Sequence, residues 1–405
     1  MGDATIDRIT GDTGPHFEPF GWHHWPEFPW LSYQFRRVLG ETQEGGGAVS
    51  ECFQAASRMT PGDAESWFVE WTHVADRNRE RGDAAERQGN VITARQCWLR
   101  AADYYRSAEF WLSPDDPRRL ATFDRVEEVS RNAGRYFDPP LEVVEVPYEG
   151  DSHLDAYFVA SPFRPDGEPG PQPVLIAFGG LDSFKDELLF MVGNGALARG
   201  ISCLLVDGPG QGGTLRRQRI PTRHDYEVPV GRCIDYLEGR ADVDADRIAV
   251  SGSSLGGYYA ARAAAYESRL AAAVSHGAIW SIPELWGDAE EDHGLAMHIK
   301  WVFGVDSMAA AKQVWDPFRL EGHLGNISCP YLIVHGGHDV LGVRGATQVY
   351  EHAKENGVDV TLEMLQPEDT GAEHCQHDNP TIGQEHVADW LAARFGIDQA
   401  SLRHV

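Results

Sequence analysis

The order of apolar and polar positions divides the chain near residue 139. Before that point the spacing is helical. Ala94, Trp98, Ala101, Tyr105, Ala108 and Leu112 fall three or four positions apart and mark one stripe of an amphipathic helix, which Pro114 then ends. Trp67, Trp71 and Val74 follow Asp63, a residue suited to cap a helix N-terminus, so residues 60–112 are predicted to form an antiparallel helix pair. Farther upstream, Trp22, Trp25, Phe28, Trp30, Tyr33 and Phe35 cluster around Pro26 and Pro29. Such rings either pack over a neighbouring domain or contact a ligand, and packing is the simpler reading.

At Pro139 and Pro140 helical spacing gives way to alternation. Residues 141–146 and 154–159 read as strands joined by a turn at Gly150-Asp151, and 161–173 as a loop rich in Pro and Gly. Continuous apolar runs then alternate with amphipathic segments: 174–178, 202–206, 247–250, 271–275, 331–334 and 360–364. Strands of that kind are buried on both faces, and helices between them imply parallel neighbours joined by right-handed crossovers. The predicted fold is therefore α/β, a mostly parallel sheet with helices on both faces. It comprises an N-terminal helical domain over 1–138 and a core over 139–400. A helical cap insertion at 281–327 has Trp280 at its edge and carries Trp286, Trp301 and Trp315.

Composition narrows the choice of partners. An apolar fraction of 42% and a charged fraction of 24% over 405 residues belong to a globular protein rather than a disordered one. With 35 basic and 62 acidic side chains the net charge is -27, which repels phosphate backbones and anionic bilayers; nucleic acid and membrane surfaces are excluded as partners. The longest purely apolar runs, such as 174–178, are far too short to span a bilayer. Six cysteines lack any CxxC spacing and read as reduced core residues. Residues 1–14 are polar and acidic, without the basic start and apolar stretch of a secretory signal, so the expected location is cytoplasmic.

The strongest chemical signal is Gly252-Ser253-Ser254-Leu255-Gly256, set between an apolar run and an alanine-rich helical segment. A sharp strand-to-helix turn of this form presents its central serine, with glycines on either side removing side chains that would collide. Ser254 is the candidate nucleophile; the alternative is a serine-rich turn that merely caps the helix. An acid and a base should follow in that order. Asp339 stands at the end of the run 331–334 and is the candidate acid, though an aspartate there could also simply shape a turn. The later loop Gly371-Ala372-Glu373-His374-Cys375-Gln376-His377-Asp378 supplies His374 as candidate base, with His377 as the alternative. Oxyanion donors are expected from the NH of Leu255 and from Gly180 or Leu181, in a Gly-Gly loop that also carries Asp182 as a candidate substrate contact. Trp280 and Trp286 suggest a flat or aromatic substrate. No metal site is expected, because the histidine loop matches no zinc spacing. Asp207-Gly208-Pro209-Gly210-Gln211-Gly212-Gly213 looks superficially like a dinucleotide fingerprint. Thr214-Leu215-Arg216-Arg217 follows it where a small apolar helix is needed, so no cofactor is expected and the loop is read as a wall of the cleft.

These residues together resemble the α/β-hydrolase superfamily over about 141–397. The helical N-terminal region, the 178–183 and 207–212 loops and the Glu373-His374-Cys375 ending resemble a narrower group. It comprises 2,6-dihydroxypseudooxynicotine hydrolase, fungal polyketide-shortening hydrolases and FrsA-like proteins. The resemblance implies a serine hydrolase without cofactor, a candidate homodimer, with its site between helical domain and sheet. It implies cleavage of a C–C bond next to a ketone, or of an ester, in an aromatic or polyketide-like small molecule. The family triad carries over onto Ser254, Asp339 and His374, and Glu284 is the nearest match to an accessory acid that assists C–C cleavage in some members. Three other readings stand beside this one: a non-hydrolytic step such as acyl transfer, elimination or cyclisation; an inactive binding module; and a helical region that serves as a partner-binding adaptor.

Overall fold

The structure is a computed structural model and describes residues 16–18 and 21–405; segment 1–14 and the ring of Trp22 lie outside the described residues. A short ribbon, β1 (His16–Glu18) and β2 (Gly21–His23), precedes five helices. These are α1 (Pro29–Glu41), α2 (Val49–Ala56), α3 (Ala64–Arg87), α4 (Val91–Glu109) and α5 (Pro117–Gly134). Helix α1 starts on Pro29, whose fixed φ suits a first helical position, and Asp63 caps α3 by accepting from the NH of Glu65 at 2.9 Å. Trp67, Trp71, Trp98 and Tyr105 lie on the inner faces of α3 and α4 and are almost wholly buried in a helical core that also takes in Phe35. The stripe read to Leu112 runs past the helix, which ends at Glu109.

The rest of the chain builds one sheet. Its strands are β3 (Glu142–Pro147), β4 (His153–Val159), β6 (Gln172–Phe178), β7 (Ser202–Asp207), β8 (Val243–Ser253), β9 (Ala272–His276), β10 (Tyr331–Gly336) and β11 (Val360–Leu365). Across the sheet the order is β11-β10-β9-β8-β6-β7-β4-β3; the pairings from β7 to β11 are parallel, and β4 runs antiparallel to both β7 and β3. The remaining strands, β5 (Phe163–Pro165) and β12 (Leu402–His404), pair with each other, so the stretch expected to be wholly loop contains a strand that only a distant partner creates. Strand β11 is half-buried rather than enclosed, because it forms the edge.

Side chains alternate between the sheet's faces as the pleat requires. Val174, Ile176 and Phe178 face a core shared with α8 (Glu227–Glu238), α9 (Leu255–Ala264) and α13 (Arg344–Glu355). Leu175 and Ala177 face a second core under α6 (Asn194–Leu197) and α14 (Pro380–Arg394). Between β9 and β10 the chain leaves the sheet as α10 (Ile282–Trp286), α11 (Ala296–Phe303) and α12 (Met308–Val314); α7 (Gly212–Arg216) follows β7. All six cysteines are free and buried. Among the described residues no helix is long and apolar enough to cross a membrane.

Candidate active site

The turn from β8 into α9 carries Ser254 at φ 58° and ψ −118°, a conformation unfavourable for a residue with a side chain. It is held there by backbone: the NH of Ser254 donates to His276 O at 2.8 Å and its carbonyl accepts from the NH of Gly257 at 2.7 Å. The flanking glycines are sterically required. A Cβ on Gly252 would lie 1.8 Å from Gly256 O, and one on Gly256 would lie 2.5 Å from Gly179 O.

His374 Nε2 lies 2.8 Å from Ser254 Oγ, and its Nδ1 lies 2.7 Å from Asp339 Oδ2. Asp339 also accepts from the NH of Leu341 at 2.7 Å. Burial opposes the charged imidazole, but the Asp339 carboxylate outweighs it and holds the His374 pKa well above the ordinary histidine range; the same pairing keeps Asp339 below the usual carboxylate range despite burial. The histidine loop is fixed from behind. Cys375 and Gln376 take positive φ, the Cys375 thiol donates to His276 O at 3.4 Å, and Gln376 Oε1 meets His276 Nε2 at 2.5 Å. His377, the alternative base, makes no bond to Ser254; it lines the cavity beside Tyr33, the ring centroids 5.7 Å apart.

Gly180 rides directly over the nucleophile, since a Cβ there would stand 2.7 Å from Ser254 Cβ. Leu255, the first residue of α9, offers an NH that has no acceptor within the helix by position. Gln211 braces the Gly-Gly loop from behind by donating to Gly179 O at 2.6 Å. The 207–213 loop is thus a strut and not the cleft wall expected from sequence; Gln211 does not line the cavity.

The segment that continues from this loop, residues 182–187, is pinned by buried charges from both bodies of the molecule. Asp182 pairs with Arg119 of α5 and with Arg216 of α7 at 3.0 Å, and meets His298 Nδ1 at 2.9 Å. Glu187 pairs with Arg37 of α1 and with Arg106 of α4 at 2.7 Å. Lys185 reaches Glu127 at 2.6 Å and Asp207 at 3.0 Å, supplying the cation for the carboxylates that Glu127, Asp155 and Asp207 bring together. The expectation that Asp182 touches substrate is therefore corrected: its carboxylate is 1% exposed and consumed by two guanidinium groups and an imidazole. Burial notwithstanding, those arginines hold its pKa far below the usual range.

The cavity over Ser254 is small, about 70 Å³, at the bottom of a hollow open to solvent. Leu181 and Trp286 line it, whereas Trp280 and Glu284 do not. Trp280 packs at a tilt against His352, and its Nε1 donates to Glu284 Oε1 at 3.2 Å beside a neighbouring hollow. Both line that hollow and not the space over the triad, so Glu284 is not placed as an accessory acid in this geometry. The packing reading preferred for Trp30 and Tyr33 gives way here to the ligand-facing one, and sequence reasoning missed Gln34 and Arg37 beside them. Trp30, Tyr33, Gln34 and Arg37 recur at helical spacing along α1 and face the cavity together. That periodicity was the available signal, hidden by the bulk of aromatic residues around it.

Residues 62–296 match the model of the esterase FrsA-like family, and residues 229–398 that of the prolyl oligopeptidase family. Hydrolase acrC of Aspergillus aculeatus is 32% identical over 342 residues, covering 73% of this chain and 80% of that protein. The 20-hydroxy-prefusarin hydrolase FUS2 of Gibberella moniliformis is also 32% identical, covering 75% of this chain and 81% of its own. Among solved structures, 2,6-dihydroxy-pseudo-oxynicotine hydrolase superposes with a TM-score of 0.73 at 29% identity, covering 87% of this chain and 95% of that one.

Proposed function

We propose that this chain, which belongs to the FrsA-like family of α/β-hydrolases, is a serine hydrolase that works through an acyl-enzyme on an aromatic or polyketide-like small molecule. The observation that carries the reading is the continuous relay from Ser254 Oγ through His374 to Asp339, at 2.8 and 2.7 Å, opening into a partly enclosed cavity. His374 takes the Ser254 proton while Asp339 fixes the tautomer, and Ser254 Oγ adds to a carbonyl carbon. The negative oxygen is received by the NH of Leu255 and an NH of the Gly180-Leu181 loop. Collapse breaks the bond to the leaving group, which takes the proton from His374: an alkoxide becomes an alcohol, and a carbanion stabilised as an enolate becomes a ketone. Water, deprotonated by the same His374, then releases the acid and regenerates Ser254.

Two relatives are named for hydroxylated organic substrates, which supports a small organic substrate here. Cleavage of a C–C bond next to a ketone is the reaction we favour, with ester cleavage as the simpler variant of the same site. A fluorophosphonate probe should add its phosphonyl mass to Ser254 in the native chain and leave Ser254→Ala unmodified. Turnover in heavy-oxygen water should place one heavy oxygen in the released acid. An unlabelled native protein, or an acid without heavy oxygen, would overturn the reading.

A further inference from the structure

The start of α1 stands between the catalytic cavity and a second, larger hollow. That hollow, of about 520 Å³, opens between the first residues of α1, the turn into α3 and the segment that leads into α11. Phe28, Leu31, Trp111 and Met297 give it an apolar lining. Its charged residues are Glu27, Asp63, Glu291 and Lys300, and Lys300 is bound to Glu291 at 2.7 Å. The space therefore suits an uncharged chain and repels an anion.

Trp30 lines both spaces. Around it the boundary runs between residues adjacent in the chain. Phe110 lines the catalytic cavity and Trp111 the outer hollow, their rings edge to face at 4.7 Å. Leu295 likewise lines the catalytic cavity, while Gly294 and Ala296 line the outer hollow. The two spaces thus stand back to back, with the Trp30 indole in the wall between them. The indole is packed in place: its ring lies edge-on to Tyr33 at 6.2 Å and tilted against His293 at 6.4 Å. A Cβ on Gly294 would lie 2.6 Å from Trp30 Cδ1 and Nε1, so the backbone itself meets the ring. The NH of Leu295 donates to His293 Nδ1 at 3.2 Å and braces that bend from within.

We infer that the Trp30 indole is a partition that ends the catalytic cavity on the α1 side and sets how long a substrate the site takes. A chain that runs from the carbonyl at Ser254 past Trp30 is excluded, and removing the indole joins the two spaces and admits it. The inference rests on the hydrolase reading for the position of that carbonyl, but the partition is also tested by binding alone.

The test is turnover of 4-nitrophenyl esters from acetate to decanoate by the full chain. Forcing extra methylenes against a packed wall is unfavourable, so kcat/KM of the native protein should fall about tenfold or more between butyrate and octanoate. Each methylene moved from water into apolar surroundings contributes about fourfold, so in Trp30→Ala the octanoate-to-butyrate ratio should rise about tenfold or more. Met297 lines the outer hollow and not the catalytic cavity. Adding Met297→Trp to Trp30→Ala should refill the hollow and return the ratio toward its native value, which a general loosening of α1 would not do. Trp30→Leu carries the test if Trp30→Ala fails to fold. A native protein that takes octanoate as readily as butyrate, a ratio unmoved by replacing Trp30, or a gain that survives Met297→Trp would overturn the partition. If no ester is turned over and the fluorophosphonate leaves Ser254 unlabelled, the hydrolase reading falls; calorimetric binding of hexanophenone against acetophenone then decides the partition, which requires that ratio to rise in Trp30→Ala and is overturned if it does not.

Discussion

At the scale of single residues, the chemistry hangs on which groups carry protons. His374 must be neutral to accept from Ser254, and its pKa is held above 6.5 by Asp339. The acid limb of kcat/KM against pH should accordingly lie above pH 6.5, with activity rising as the imidazolium deprotonates. Asp339→Asn removes the group that raises this pKa and leaves the burial that lowers it. The limb should move to lower pH while kcat falls about 10⁴-fold; a pH–rate series on both proteins checks the two effects together. Ser254, Asp339 and His374 could be read from sequence because each sits at a local landmark: a glycine-flanked turn, the end of an apolar strand, and a loop opened by glycine. Asp182 could not. A loop aspartate looks the same whether it faces a ligand or arginines 63 and 34 positions away, and only the packed chain decides.

At the scale of elements, the Gly-Gly loop and the segment after it are where helical region and sheet meet. Gly180→Ala would force a methyl to 2.7 Å from Ser254 Cβ, displacing the loop that faces the oxyanion. The expected result is a kcat loss of about 10²-fold, the usual scale for losing one oxyanion donor, together with a loss of stability of about 1–3 kcal/mol from the overpacking, read by urea unfolding. Arg216→Met strips a guanidinium from both Asp182 and Glu109, leaving buried carboxylates short of a partner. Removing one partner of such a pair should destabilise the fold by about 3–5 kcal/mol, measurable by urea unfolding. The Asp182 pKa is depressed, so its contribution is present above the unfolded value of 3.8 and lost as pH falls; the difference between native and variant should narrow in strong acid. The strands were legible to within a few residues because continuous apolar runs leave little choice. The short β5–β12 pair was not, since neither half has a pattern without the other.

Over the whole molecule, the surplus of 27 negative charges is a long-range field rather than a feature of the cavity. Anionic esters should be turned over more slowly than neutral ones of equal size at low salt. Their kcat/KM should rise as salt screens the field, while that of the neutral ester stays flat. Steady-state rates for 4-nitrophenyl acetate and its hemisuccinate counterpart across a salt series would show it. Chain order and composition made the α/β class and its helical preface readable. They did not disclose the contact between the two, because its charges come from α1, α4, α5 and α7 and meet only after folding.

That charged seam also governs traffic. Swinging the helices away from the sheet would part Asp182 from Arg119, Lys185 from Glu127, and Glu187 from both Arg37 and Arg106, while Arg216 and Asp207 stay with the first two. Glu187 alone would lose every countercharge, so the docked arrangement is tied most firmly where α1 and α4 meet it. Helix α1, which walls the cavity, therefore also moors it together with α4, so a change at Glu187 would be felt by every molecule that reaches the serine.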